Sequence, residues 1–64
     1  MPLVKIELYP GRSSNQKSDA AKAITRVLVE QLGSQPKDVI VIFNDTPAEN
    51  WFYGDQATFT EPKD

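Results

Sequence analysis

The sequence predicts an α+β domain: a two-stranded parallel sheet, one long helix joining the strands, and a short C-terminal strand or hairpin, assembled as an oligomer. Three observations predict it. A strand of alternating polarity, an amphipathic helix and a β-branched run follow one another in that order. The chain has 64 residues and neither cysteine nor histidine, so disulfides are absent and a zinc site would rest on carboxylates alone. A chain this short buries only roughly 60% of the surface its unfolded form exposes. Self-association is then the remaining staple for a small fold.

The first element runs from Leu3 to Tyr9. Val4, Ile6 and Leu8 face one way and Lys5, Glu7 and Tyr9 the other, the period of a half-buried strand. Pro10-Gly11 ends it, since both residues punctuate regular structure. Ser13 and Gln16 then have the spacing of a capping box, in which each side chain satisfies a backbone donor of the first helical turn. Ala20, Ala21, Ile24, Val27, Leu28 and Leu32 recur at steps of three and four and mark one apolar face. Lys17, Lys22, Arg26 and Glu30 are expected on the opposite side. Gly33 suits the left-handed residue that closes a helix.

Val39 to Phe43 is a continuous apolar run, the pattern of a strand covered on both faces. A helix of ~19 residues spans about 28 Å, enough to return the chain beside a first strand of about 23 Å. Strand, helix, strand therefore reads as one right-handed β-α-β unit. One helix covers one sheet face, so the other face and both edges are expected to meet another copy of the chain. Thr46 to Asn50 reads as a turn. Trp51, Phe52 and Tyr53 follow, and three adjacent aromatics cannot all face so small a core; at least one should line a pocket or a subunit contact. A short strand is expected over residues 57–60 and a mobile tail over 61–64.

Several function classes lose support at this point. Net charge is −2 and no basic stripe exists, which argues against nucleic-acid partners. Lys5 and Glu7 interrupt any signal-peptide core, and the run Val39 to Phe43 is far too short to span a membrane. A single soluble, cytoplasmic domain over 1–64 is the expectation, with no metal. Phosphate-loop and dinucleotide motifs are absent, so no cofactor is expected. Without histidine or cysteine the common general base and thiol nucleophile are missing. One group still titrates near neutrality, the α-amine, whose ordinary pKa is about 7.7–8.0. Removal of Met1 would expose the secondary amine of Pro2, and burial plus a neighbouring cation would favour its neutral, proton-accepting form. Arg12 is the best candidate for that cation, and it suits bidentate binding of a substrate carboxylate. Pro at position 2 is common, however, and a lone arginine is more often a solvated loop residue. Composition and pattern alone leave the function open.

A combination of segments narrows it. Pro2 ahead of an alternating strand, Gly11-Arg12-Ser13 before the helix, Asp38-Val39-Ile40-Val41-Ile42, and Glu49-Asn50-Trp51 stand in an order and spacing that resembles the 4-oxalocrotonate tautomerase family, over residues 2–54. The resemblance implies a homohexamer built as a trimer of dimers and a place in aromatic catabolism. The implied activity is proton transfer between the enol oxygen and a carbon of a small 2-hydroxy-unsaturated or 2-keto carboxylate. It implies Pro2 as general base, Arg12 on a substrate carboxylate, and Trp51 as an aromatic wall, with Tyr9 and Ile40 at further substrate-contacting positions. Ile40 departs from the pattern, because the best-studied members carry a second arginine there. Loss of one such donor typically costs about 10²–10³ in rate. The glycine-rich stretch after the wall is replaced by Phe52-Tyr53-Gly54-Asp55, and Tyr53 is the candidate replacement donor. Related haloacrylate dehalogenases require a further arginine and a glutamate near the places of Tyr9 and Tyr53. The malonate semialdehyde decarboxylases share an aspartate at Asp38 but need arginines this chain lacks. The alternative reading is a non-catalytic or weakly active oligomeric binding protein of the same fold.

Overall fold

The computed structural model describes residues 1–58. Strand β1 (Leu3–Leu8) leads through Pro10-Gly11 into helix α1 (Ser14–Leu32). A single 3-10 turn (Pro36–Asp38) then delivers the chain to β2 (Ile40–Asp45), which lies parallel to β1. A second 3-10 turn (Ala48–Asn50) precedes a small antiparallel hairpin of β3 (Phe52–Tyr53) and β4 (Gln56–Ala57). The expected C-terminal strand is thus the second arm of a hairpin. It ends at Ala57, one residue short of Thr58, and the remaining expected residues 59–60 and the expected tail at 61–64 lie outside the described residues.

Register follows from the alternation of β1. Leu3 stands opposite Ile40, Val4 opposite Val41, Ile6 opposite Phe43 and Glu7 opposite Asn44. The ladder is extended at both ends, by the Ile40 N–H donating to the Pro2 carbonyl (3.0 Å) and the Thr46 N–H to the Leu8 carbonyl (2.8 Å). Val4, Ile6, Leu8, Val41 and Phe43 are half-buried, whereas Leu3, Ile40 and Ile42 on the other face are exposed. The second strand is therefore covered on one face only within the chain. None of the described residues is fully buried, so a single copy has no closed core.

Both helix ends form as the sequence predicts. The Ser13 Oγ accepts the Gln16 N–H (3.1 Å) while the Gln16 side chain accepts the Ser13 N–H (2.9 Å). Gly33, at φ 72°, ends the helix with its N–H on the Val29 carbonyl (3.1 Å), a left-handed position that costs other residues strain. The packed face is rotated from the one expected. Ala21, Ile24, Leu28 and Val29 are half-buried, but Ala20, Val27 and Leu32 remain exposed. A sheet of two strands is too narrow to cover the whole apolar stripe. Lys17, expected on the polar side, is half-buried and pairs with Asp45 at the end of β2 (2.9 Å). Its aliphatic stem lies along the packed face while its ammonium reaches the carboxylate. No helix among the described residues is long and apolar enough to cross a membrane.

Candidate active site

Where β1 stops, the chain builds a concave surface. Pro10 cannot donate to a ladder and Gly11 adopts φ 122°, a conformation that side-chain-bearing residues rarely take. The turn sets Arg12 immediately before the cap residue Ser13, next to the positive end of the α1 dipole. That first helical turn holds no acidic residue. The Arg12 guanidinium is exposed, makes no ion pair among the described residues, and reaches only the Tyr9 carbonyl at 3.5 Å. A cation so lightly engaged, beside a helix N-terminus, favours a bound anion.

The opposite wall is aromatic. Trp51 is half-buried, and its indole N–H donates to the Thr46 carbonyl (3.1 Å). Its ring meets Tyr9 edge to face, with centroids 5.0 Å apart and planes at 72°, a favoured aromatic geometry. The Tyr9 hydroxyl shares a hydrogen bond with the Thr58 hydroxyl (3.2 Å), and the Thr58 N–H donates to the Trp51 carbonyl (3.1 Å). Thr58 thereby locks the hairpin onto Tyr9. The hairpin turns at Gly54-Asp55, with Gly54 at φ 63° in the position that favours glycine. A cavity of about 430 Å³ results, lined by Leu8, Tyr9, Arg12, Trp51, Phe52, Tyr53 and Thr58. All three consecutive aromatics line it, where the sequence required at least one.

A smaller cavity of about 210 Å³ lies against Trp51 as well, lined by Glu7, Thr46, Asn50 and Trp51. The Glu7 Oε1 there accepts the Thr46 hydroxyl (2.8 Å) and the Asn44 amide (2.8 Å). These two hydrogen bonds, Thr46 first, hold the Glu7 carboxyl below its ordinary range, with Lys5 adding a smaller pull. Sequence reasoning missed both Thr58 and this Glu7-Thr46-Trp51 chain. The only signal for the latter was the strand register, which sets Glu7 opposite Asn44.

The structure divides the residues singled out from sequence into two groups. Tyr9, Arg12 and Trp51 come together at the cavity. Pro2 and Ile40 come together at the opposite end of the sheet, joined by the Ile40 N–H on the Pro2 carbonyl. The six residues of β1 separate the groups, a distance of about 20 Å at the rise of a strand. Asp38 sits in the turn before β2 with Lys37 at 3.7 Å. Among the described residues no group of three or more carboxylates is placed to hold a metal ion.

Known proteins resemble this arrangement. Residues 2–58 match the tautomerase enzyme family profile. The 2-hydroxymuconate tautomerase of Comamonas testosteroni is 41% identical over 51 residues, covering 80% of this chain and 81% of its own. Among solved structures, TomN, a 4-oxalocrotonate tautomerase homologue of tomaymycin biosynthesis, superposes with a TM-score of 0.79 at 36% identity. The match covers 88% of this chain and 86% of TomN. A heterohexameric 4-oxalocrotonate tautomerase from Chloroflexus aurantiacus gives 0.78 at 26% identity over 89% of this chain and 92% of its own.

Proposed function

The chain belongs to the tautomerase family, and on that premise we propose that it isomerises a small 2-hydroxy-unsaturated carboxylate to its 2-keto form with the Pro2 amine as base. The amine becomes available once Met1 is removed. It takes the enol hydroxyl proton, the C–O bond becomes a carbonyl, and the C=C electron pair accepts the proton back at carbon. Atoms and charge balance with no co-reactant, and one group serves as base and then acid. Arg12 holds the substrate carboxylate as a charge-assisted pair. Trp51 and Tyr9 exclude water from the reacting end, which strengthens every charge interaction inside. The observation that carries the reading is the cavity at the end of β1, with one lightly engaged arginine facing an aromatic wall. The binding-protein alternative has only Ile40 in its favour, and the relatives named as tautomerases weigh against it.

Pro2 and Arg12 lie at opposite ends of one strand, so in this reading each site takes them from different copies. The assembly proposed is a homo-oligomer of six copies; association itself is supported by the absence of any fully buried described residue and by the sheet face that Leu3, Ile40 and Ile42 leave uncovered. The hexameric relative from Chloroflexus supports that number. Mixing tests both claims. In ultraviolet-monitored ketonisation of 2-hydroxymuconate and phenylenolpyruvate, Pro2→Ala is expected to be nearly inactive and Arg12→Ala to lose about 10- to 150-fold in kcat/KM. An equal mixture, unfolded and refolded together, should regain about a quarter of wild-type activity if every site draws on two chains of a symmetric assembly. No recovery would place both residues in one chain and overturn the shared site. An intact mass that retains Met1 would overturn the amine base.

A further inference from the structure

The wall chemistry of the large cavity restricts what can occupy it. Its charged lining residue is Arg12, and four others, Tyr9, Trp51, Phe52 and Tyr53, are aromatic. The polar atoms of the two inner aromatics are already engaged, the Trp51 indole by the Thr46 carbonyl and the Tyr9 hydroxyl by Thr58. They therefore offer ring surface rather than donors. Tyr53, 80% exposed, adds one neutral donor, and Phe52, 58% exposed, adds none.

Among the described residues, no cationic side chain lies in register with Pro2. Its ladder partner is Ile40, an apolar side chain. Lys37 precedes β2 but stands 3.7 Å from the Asp38 carboxylate, leaving that turn with no net charge. Lys5 lies in register with Ile42, on the open sheet face that also carries Glu7. A dianionic substrate placed between such ends would leave one carboxylate desolvated without a partner, which is costly. A monoanion with a flat apolar tail would pair its carboxylate with Arg12 and stack its tail on rings that need covering.

We propose that the preferred substrate has one carboxylate and an aromatic or similarly flat apolar tail, rather than two carboxylates; this rests on the enol–keto reading above. Two readouts keep the claims separable. Trp51 is the single tryptophan of the chain, so its fluorescence reports occupancy of the cavity without any chemistry. Titration of the full-length protein with 3-phenylpropionate should change that emission with a Kd at least about tenfold below that for muconate, a charged hydrogen bond being worth about one to two decades. Ketonisation of phenylenolpyruvate should likewise exceed that of 2-hydroxymuconate at least about tenfold in kcat/KM, and Ile40→Arg should narrow that ratio by a similar factor. Muconate binding as tightly as phenylpropionate, or turning over as well in its hydroxy form, overturns the substrate class and leaves the tautomerase reading intact. Tight phenylpropionate binding with no turnover of either enol supports the class and overturns the reading it rests on. Binding of neither acid overturns the class.

Discussion

Arg12→Ala separates function from stability because of how little Arg12 does in the fold. Among the described residues its one hydrogen bond is the 3.5 Å approach to the Tyr9 carbonyl, at the outer limit of such a bond. It is exposed and makes no ion pair among the described residues. Removing it should change stability by no more than about 0.5 kcal/mol, the usual range for such a surface site. Binding is another matter. A charge-assisted hydrogen bond is worth about 1.5–3 kcal/mol, which converts to a fall of about 10- to 150-fold in kcat/KM. Arg12→Lys keeps the charge but loses the planar fork, so its loss should fall between wild type and alanine. The site is open, so added salt should raise the wild-type KM more than that of the alanine variant. The assays are initial ketonisation rates and a thermal midpoint on the same preparations. An alanine variant losing less than threefold in kcat/KM at an unchanged midpoint would remove Arg12 from the substrate. A midpoint lowered by many degrees would show that the structural argument about its contacts is wrong.

Three further outcomes follow from the same geometry. Ile42→Asp places a charge in the uncovered sheet face, and sedimentation should show dissociation to smaller species; an unchanged assembly would mean that this face is not the contact. Glu7 has its carboxyl lowered by Thr46 and then Asn44, so the native state favours its ionised form. Its stabilisation is present above the ordinary carboxylate range and lost as pH falls through the lowered value. Glu7→Gln should flatten the acid side of a midpoint-versus-pH curve, and a slope identical to wild type would refute the role given to Thr46. Ser13→Ala breaks one half of the capping box and should cost about 1 kcal/mol, read as a shift of the urea midpoint at constant slope.

Alternation in β1 made Val4, Ile6 and Leu8 legible as one face, and both helix ends were legible, the first from Ser13 and Gln16 at capping-box spacing and the second from Gly33 alone. The helix face was less so. Val27 and Leu32 fit the periodic stripe as well as Ile24 and Leu28 do, but a two-stranded sheet reaches only part of it. Lys17 looked solvated because charge was weighed without its stem, and Asp45 lies 28 positions away. The aromatic wall was foreseeable from three adjacent rings, since a short chain has too little interior for them. Thr58 was not, because its contact with Tyr9 exists only after Gly54 turns the hairpin back. The interval from Pro2 to Arg12 was readable in the sequence, but its consequence needed the strand to be straight.

Marginal burial and a divided site have one cause. A strand long enough to pair along six residues carries its first and last residues about 17 Å apart, so a base before its start cannot meet an arginine beyond its end. The same strand leaves Leu3 exposed, and its partner strand leaves Ile40 and Ile42 exposed, on the face its own helix cannot reach. A second copy that covers this face also brings in another strand start and another strand end. In the proposed assembly, association therefore supplies both the missing core and the missing half of the site, and the two need not be selected separately. Dilution below the assembly constant should then remove folding cooperativity and activity together, whereas a monomer retaining turnover would require Pro2 to reach its own Arg12 across the length of β1.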